Sequence, residues 1–192
     1  MLVIGPPRSG TSITARVLQR HLGRPYPFEV NRHDEPEALV KATNGLLERN
    51  GMTTEDRIYP EGAVVDSVFV KEVMDFLRPL EGGDRVVVKE PILTAFLKQT
   101  GMHRRYNYVT VDRPIEHRAE SFKKRKKMSE QAALHASEFW KAAMLELFPE
   151  EALDVVFLFT KELFVEQIKP VVERMLGEHF KPHIVDELWG EE

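Results

Sequence analysis

The chain has 192 residues, 42% apolar and 30% charged, which is the length and balance of one globular domain. A formal net charge of −4 argues against a nucleic-acid partner, and the absence of cysteine excludes disulfides, thiolate metal sites and a cysteine nucleophile. No apolar run approaches the roughly 18 residues that span a bilayer, and the seven histidines form no His-Glu-x-x-His pair, so neither a membrane span nor a metal site is expected. Met1-Leu2-Val3-Ile4-Gly5 lacks the basic flank of a signal peptide, and the cytoplasm is the expected compartment.

In chain order, residues 1–5 read as a buried strand, and 11–22 as a helix with Ile13, Val17, Leu18 and Leu22 on one face. Gly23 to Pro27 breaks that helix. Helices are expected over 35–49 and 64–78, separated by a looser stretch at 50–62. Arg85-Val86-Val87-Val88-Lys89 has the short apolar run of a buried strand, and Pro91 opens a helix through Lys98. Strand 106–111, helix 114–126, helix 129–147, strand 154–159 and a helix over about 162–176 follow. The tail from Glu178 carries no strong signal. Strands alternating with helices predict a three-layer α/β domain over 1–192, with a parallel sheet of four to five strands and helices on both faces. Residues 24–84 form a largely helical insert. Ligands of such sheets gather at the carboxyl ends of the strands, here Gly5, Lys89, Asp112 and Thr160.

Gly5-Pro6-Pro7-Arg8-Ser9-Gly10-Thr11-Ser12 lies between the first strand and the first helix, where backbone amides and the positive helix end converge on one anion. The spacing is that of a phosphate-binding P-loop, but Thr11 stands at the position of the lysine that reaches the β/γ-phosphates of a triphosphate. Arg8 supplies a permanent cation instead. Arg113 and Ser121, eight residues apart, run from a strand end onto the next helix, where guanidinium and hydroxyl suit a phosphate monoester. Lys89 of Val88-Lys89-Glu90-Pro91 sits at another strand end.

Gly-Pro-Pro-Arg-Ser-Gly-Thr-Ser resembles the 5′-phosphosulfate loop of P-loop sulfotransferases, chiefly the branch holding the tyrosylprotein enzymes and small bacterial and phage members. Asp112-Arg113-Pro114 with Ser121 is similar to the family's 3′-phosphate motif, although here the acid precedes the arginine. Lys89-Glu90-Pro91 resembles its Lys-x-Pro motif, and Phe157 to Leu163 weakly matches a late strand. The resemblance covers 1–22, 85–98, 106–125 and, weakly, 153–176. It leaves out 50–84, and the late Arg-Lys-Gly loop of cytosolic members is absent.

It implies a P-loop-type fold and sulfuryl transfer from 3′-phosphoadenosine-5′-phosphosulfate to a hydroxyl on a small molecule or peptide, with adenosine 3′,5′-bisphosphate as product and no metal. Pro7, Arg8, Ser9, Gly10, Thr11, Ser12, Arg113 and Ser121 would bind the donor, while Lys89 and Arg8 would act on the leaving phosphosulfate. The general base is open among Glu29, which has the spacing of the tyrosylprotein branch, Glu35 and His33. The insert would form the acceptor side. A degenerate P-loop nucleotide kinase, with Asp112 as its metal-binding acid, and a catalytically silent nucleotide-binding module are the alternatives. The run Lys123-Lys124-Arg125-Lys126-Lys127 reads as a solvated helix end, or as an attractor for a polyanionic donor or an acidic acceptor. Trp140 and Trp189 read as packing residues.

Overall fold

Leu2, Val3 and Ile4 are all buried and form β1 (Leu2–Ile4), the strand on which the sheet is built. In the computed structural model, which describes residues 1–81, 85–102, 105–148, 154–156 and 160–189, β1 pairs in parallel with β2 (Val88–Lys89) and β3 (Tyr108–Asp112). Parallel β4 (Val155–Val156) completes the order β2-β1-β3-β4. The registers Leu2↔Val88 and Leu2↔Tyr108 set the ends of β1, β2 and β3 close together.

The two-residue period of the strands divides the core in two. Val3, Val87, Val109 and Val111 face α1 (Thr11–Leu22), α6 (Lys161–Leu176) and α7 (Pro182–Leu188). Leu2, Ile4 and Val88 face the opposite layer, made by α2 (Glu37–Arg49), α3 (Ser67–Leu77), α4 (Ile115–Lys126) and α5 (Glu130–Leu147). The result is the expected three-layer α/β architecture with a four-stranded parallel sheet. No described helix is long and apolar enough to cross a membrane.

Helix boundaries follow local chemistry. Gly23 ends α1 and Gly177 ends α6, both in left-handed conformation. Asp66 and Ser129 cap α3 and α5 through bonds from Phe69 N and Ala132 N. The looser stretch at 50–62 holds a 3-10 segment, Thr54–Ile58, and the helix expected after Pro91 is also 3-10, Pro91–Phe96. The tail does not stay irregular: α7 starts at Pro182 and buries Ile184, Val185 and Leu188. Seven residues are too few to show a clear period. The strand expected at 154–159 is described only at Val155–Val156, since 157–159, part of the weak late motif, lie outside the described residues.

Gly5 follows β1 where no side chain fits. A Cβ there would stand 2.0 Å from the carbonyl oxygen of Val111 on β3. Thr94 Oγ1 accepts from Gly5 N at 3.0 Å and donates to its carbonyl at 3.3 Å, fixing the chain as it leaves the sheet. Gly5→Ala is expected to force β1 and β3 apart and lower stability by about 1–3 kcal/mol, the usual cost of overpacking, measured by denaturant unfolding. Gly62→Ala, where a Cβ meets nothing within 4 Å but φ is +80°, is the control for strain alone.

Candidate functional site

Strand order puts β1 between β2 and β3, so the chain leaves β1 toward one edge and later returns to its other side. The crevice above such a reversal is where open parallel sheets bind ligands. The loop Gly5–Ser12 lies there. Gly10 precedes α1 at φ 85°, with no side-chain cap and no acid in the first turn. The amides of Thr11, Ser12 and Ile13 therefore have no intrahelical acceptor, and the positive helix end faces the crevice. Ser9 is fully buried and its hydroxyl has no hydrogen-bond partner.

Arg8 has φ 69°, a left-handed conformation that costs a non-glycine residue on the order of 1–2 kcal/mol. Arg113 and Ser121 both bond to it there. Arg113 Nη1 donates to the Arg8 carbonyl at 2.9 Å, and Arg8 Nε donates to Ser121 Oγ at 3.0 Å. The two sequence motifs, about a hundred residues apart, thus meet directly. Arg113 is buried, at 6% exposure, and comes from the end of β3, while Ser121 lies two turns along α4.

Beside this junction is a cavity of about 580 Å³. Its walls are the loop and first turn of α1, one face of α4, residues Arg32 and His33, and Leu188 with Trp189 at the end of α7. Arg8, Arg16, Arg32, Arg113, Lys124 and Arg125 line it, with Glu120 the one carboxylate among the described lining residues. In a chain of net charge −4 this local concentration of cations makes the cavity electrostatically suited to an anion. The basic run is thereby divided: Lys124 and Arg125 line the cavity and Lys123 does not, while Lys124 and Lys123 both pair with Glu120, at 3.3 and 3.5 Å.

Lys89 is 2% exposed and stands behind the loop, outside the cavity lining. Its Nζ donates to Ser12 Oγ at 2.9 Å and to the His33 carbonyl at 2.6 Å, and pairs with Glu35 Oε1 at 3.2 Å. Burial alone would raise the Glu35 pKa, but Lys89, the Asn31 amide and Arg57 together hold it below the usual carboxylate range. Arg57, from the 3-10 segment after α2, reaches the carboxylate of Glu90 at 3.0 and 3.2 Å and lies 3.9 Å from Glu35. It also donates to Asn44 Oδ1 and the Val40 carbonyl on α2. Lys89, Glu35, Arg57 and Glu90 form one chain of alternating charge from the loop into the insert.

The loop at 29–36 is tied on both sides. Asn31 Oδ1 accepts from the amides of His33 and Glu35, and Arg16 pairs with Asp34 at 2.6 Å. The three base candidates therefore part company. His33 lines the cavity, and its Nε2 accepts from Arg32 Nε at 3.1 Å. Partial desolvation, with Lys89, Arg32 and Lys126, holds the imidazole below its ordinary pKa despite Glu35. Glu35 is turned toward Lys89, and Glu29 is exposed and does not line the cavity. Asp112 is committed to Arg118 Nη1 at 2.9 Å and Lys141 Nζ at 3.3 Å.

Sequence reasoning missed Arg57, because nothing in its local pattern separates it from a surface arginine; Trp189 packs on the core as expected and also lines the cavity. Comparison of the chain with protein-family models, with curated proteins and with solved structures finds no match.

Glu90 is fully buried, and desolvation pushes its pKa from 4.5 to about 6 against the pull of Arg57. The folded protein thus keeps the Glu90 proton to higher pH than the unfolded chain, so ionising this group lowers stability as pH rises from 4.5 through about 6. Glu90→Gln is expected to remove that decline. Urea unfolding at half-unit pH steps between 4 and 7 measures it; an unchanged slope would place the proton on another group.

Proposed function

We propose that the protein is a sulfotransferase that binds 3′-phosphoadenosine-5′-phosphosulfate in this cavity and transfers the sulfuryl group to a hydroxyl acceptor. The observation carrying the proposal is the convergence of Arg8, Arg113 and Ser121 on the open end of α1. This gives two adjacent anion subsites, as a donor with separate 3′-phosphate and 5′-phosphosulfate groups requires. The commitment of Asp112 to Arg118 and Lys141 weighs against the kinase alternative, which needs that acid for a metal-bound triphosphate. A P-loop ancestry and the sulfotransferase resemblance are part of the same proposal.

In the reaction, the acceptor oxygen bonds to sulfur as the bond from sulfur to the bridging phosphate oxygen breaks, and adenosine 3′,5′-bisphosphate departs. The acceptor hydroxyl replaces Arg32 Nε at His33 Nε2, the one lone pair of the neutral imidazole, and passes its proton there; His33 is the base candidate that lines the cavity. Negative charge grows on the bridging oxygen, and the loop amides with Arg8 stabilise it. Lys89 acts one atom removed. By donating to Ser12 Oγ it occupies a lone pair of that hydroxyl, leaving the Ser12 proton to point at the leaving oxygen. Glu35 and Arg57 are positioning residues that hold the Lys89 ammonium in place.

Adenosine 3′,5′-bisphosphate should raise the melting temperature without added metal, and AMP far less. Arg113→Ala should remove most of that difference; equal shifts from both nucleotides in the wild type would sink the assignment of Arg113 and Ser121. Donor turnover with a hydroxyl acceptor tests the relay. Lys89→Ala and Ser12→Ala should each lower kcat about a hundredfold, with the double variant no worse than either. Multiplicative losses would separate the two side chains. His33→Ala should lower kcat and abolish its acid limb, while Glu29→Gln stays active.

A further inference from the structure

Part of the cavity wall comes from a helix that no motif predicts. Leu188 and Trp189 line the cavity from the end of α7, and the Trp189 ring packs at 5.6 Å on Phe164 of α6, tilted by 36°. A tryptophan in the lining of a cationic cavity of nucleotide size suits a flat heteroaromatic ring attached to phosphates, since every base presents a π-face. Trp140 has no such position, being fully buried with its Nε1 bonded to the Ile58 carbonyl.

The first residue before α7 is bonded to a buried imidazole. His21, 2% exposed near the end of α1, has Nδ1 2.8 Å from the Val17 carbonyl, which can only accept, so Nδ1 carries the proton. Its Nε2 accepts from the amide of Lys181, the residue capping α7, at 3.0 Å. The ring stacks on Phe180 at 5.4 Å. Both nitrogens are thus used in the roles of a neutral imidazole. A second proton would set N–H against N–H and break the bond to Lys181.

We propose that α7 is the base-binding wall of the cavity, with Trp189 as the side chain that stacks on a nucleotide base and neutral His21 as the residue that positions the wall. The proposal rests on the sulfotransferase reading only for the choice of nucleotide. Burial holds the His21 pKa below its ordinary value, outweighing the Val17 bond. The charged and titratable groups facing it are Lys181, Glu178 and His183. A histidine that takes its proton less readily folded than unfolded supports the docked helix fully above about pH 6.5 and loses that support as pH falls.

Tryptophan fluorescence, isothermal titration and hydrogen exchange on the full chain test this. Adenosine 3′,5′-bisphosphate should quench the wild type and leave Trp189→Phe unquenched, with affinity within about twofold. Trp189→Ala should bind it about tenfold or more weakly, yet bind pyrophosphate, which has no base, as the wild type does. Protection of the Lys181 amide, corrected for intrinsic exchange, should fall between pH 7.5 and 5.5 in the wild type. In His21→Phe, which keeps the stack on Phe180, it should be low and independent of pH. Undiminished bisphosphate affinity in Trp189→Ala overturns the base contact, and pH-independent protection in the wild type overturns the role of His21. If the wild type binds ADP but not the bisphosphate, the sulfotransferase reading fails alone and ADP serves in the same titrations. If it binds pyrophosphate but neither nucleotide, the base-binding wall is overturned.

Discussion

Arg113 emerges where β3 ends and donates to the carbonyl of Arg8 across the top of the sheet. That bond joins two segments about a hundred residues apart and helps to hold Arg8 in a left-handed conformation that is costly for a non-glycine residue. With Arg8 so placed, its guanidinium reaches Ser121, and the loop closes over the open end of α1. The bond exists because Gly5 lets β1 lie close against β3, the Val111 carbonyl occupying the space a side chain would need. Loop, strand pairing and cavity thus share one geometric condition.

A second constraint works on the other side of β1. Lys89 is buried, and a buried ammonium is costly unless its charge is matched. Glu35 matches it, and Arg57 in turn matches Glu35 and Glu90. The chain of charges ends neutral, and it binds the loop at 29–36 and the insert to the sheet. It also directs the Lys89 ammonium to Ser12 instead of into the cavity.

The loop and the helix after it were legible in the sequence because their signals are local. A short apolar run, a glycine at each end of the loop and apolar residues at helical spacing place β1 and α1 within a residue of where they lie. Arg113 and Ser121 were legible for a similar reason: a strand end and two turns of helix fix their separation. Arg57 was not, since its partners come from α2, the loop at 29–36 and the end of β2, brought together only by folding. The base candidates Glu29, Glu35 and His33 were equivalent by position, and what separates them is the direction each side chain takes from a loop held by Asn31 and Arg16.

By itself, the sequence determined the alternation of strands and helices, a loop of P-loop spacing with Thr11 at the lysine position and Arg8 as its cation, and the residue pair on β3 and α4. Each is written in spacing and residue type over fewer than about fifteen residues, the range over which backbone geometry alone sets which side chains are neighbours. Only the tertiary structure decided that Lys89 turns away from the cavity, that Asp112 is committed to Arg118 and Lys141, and that the short tail helix docks through His21 to bring Trp189 beside the loop. Those outcomes depend on which charges and faces meet across long separations, and burial sets their cost, so no local pattern encodes them.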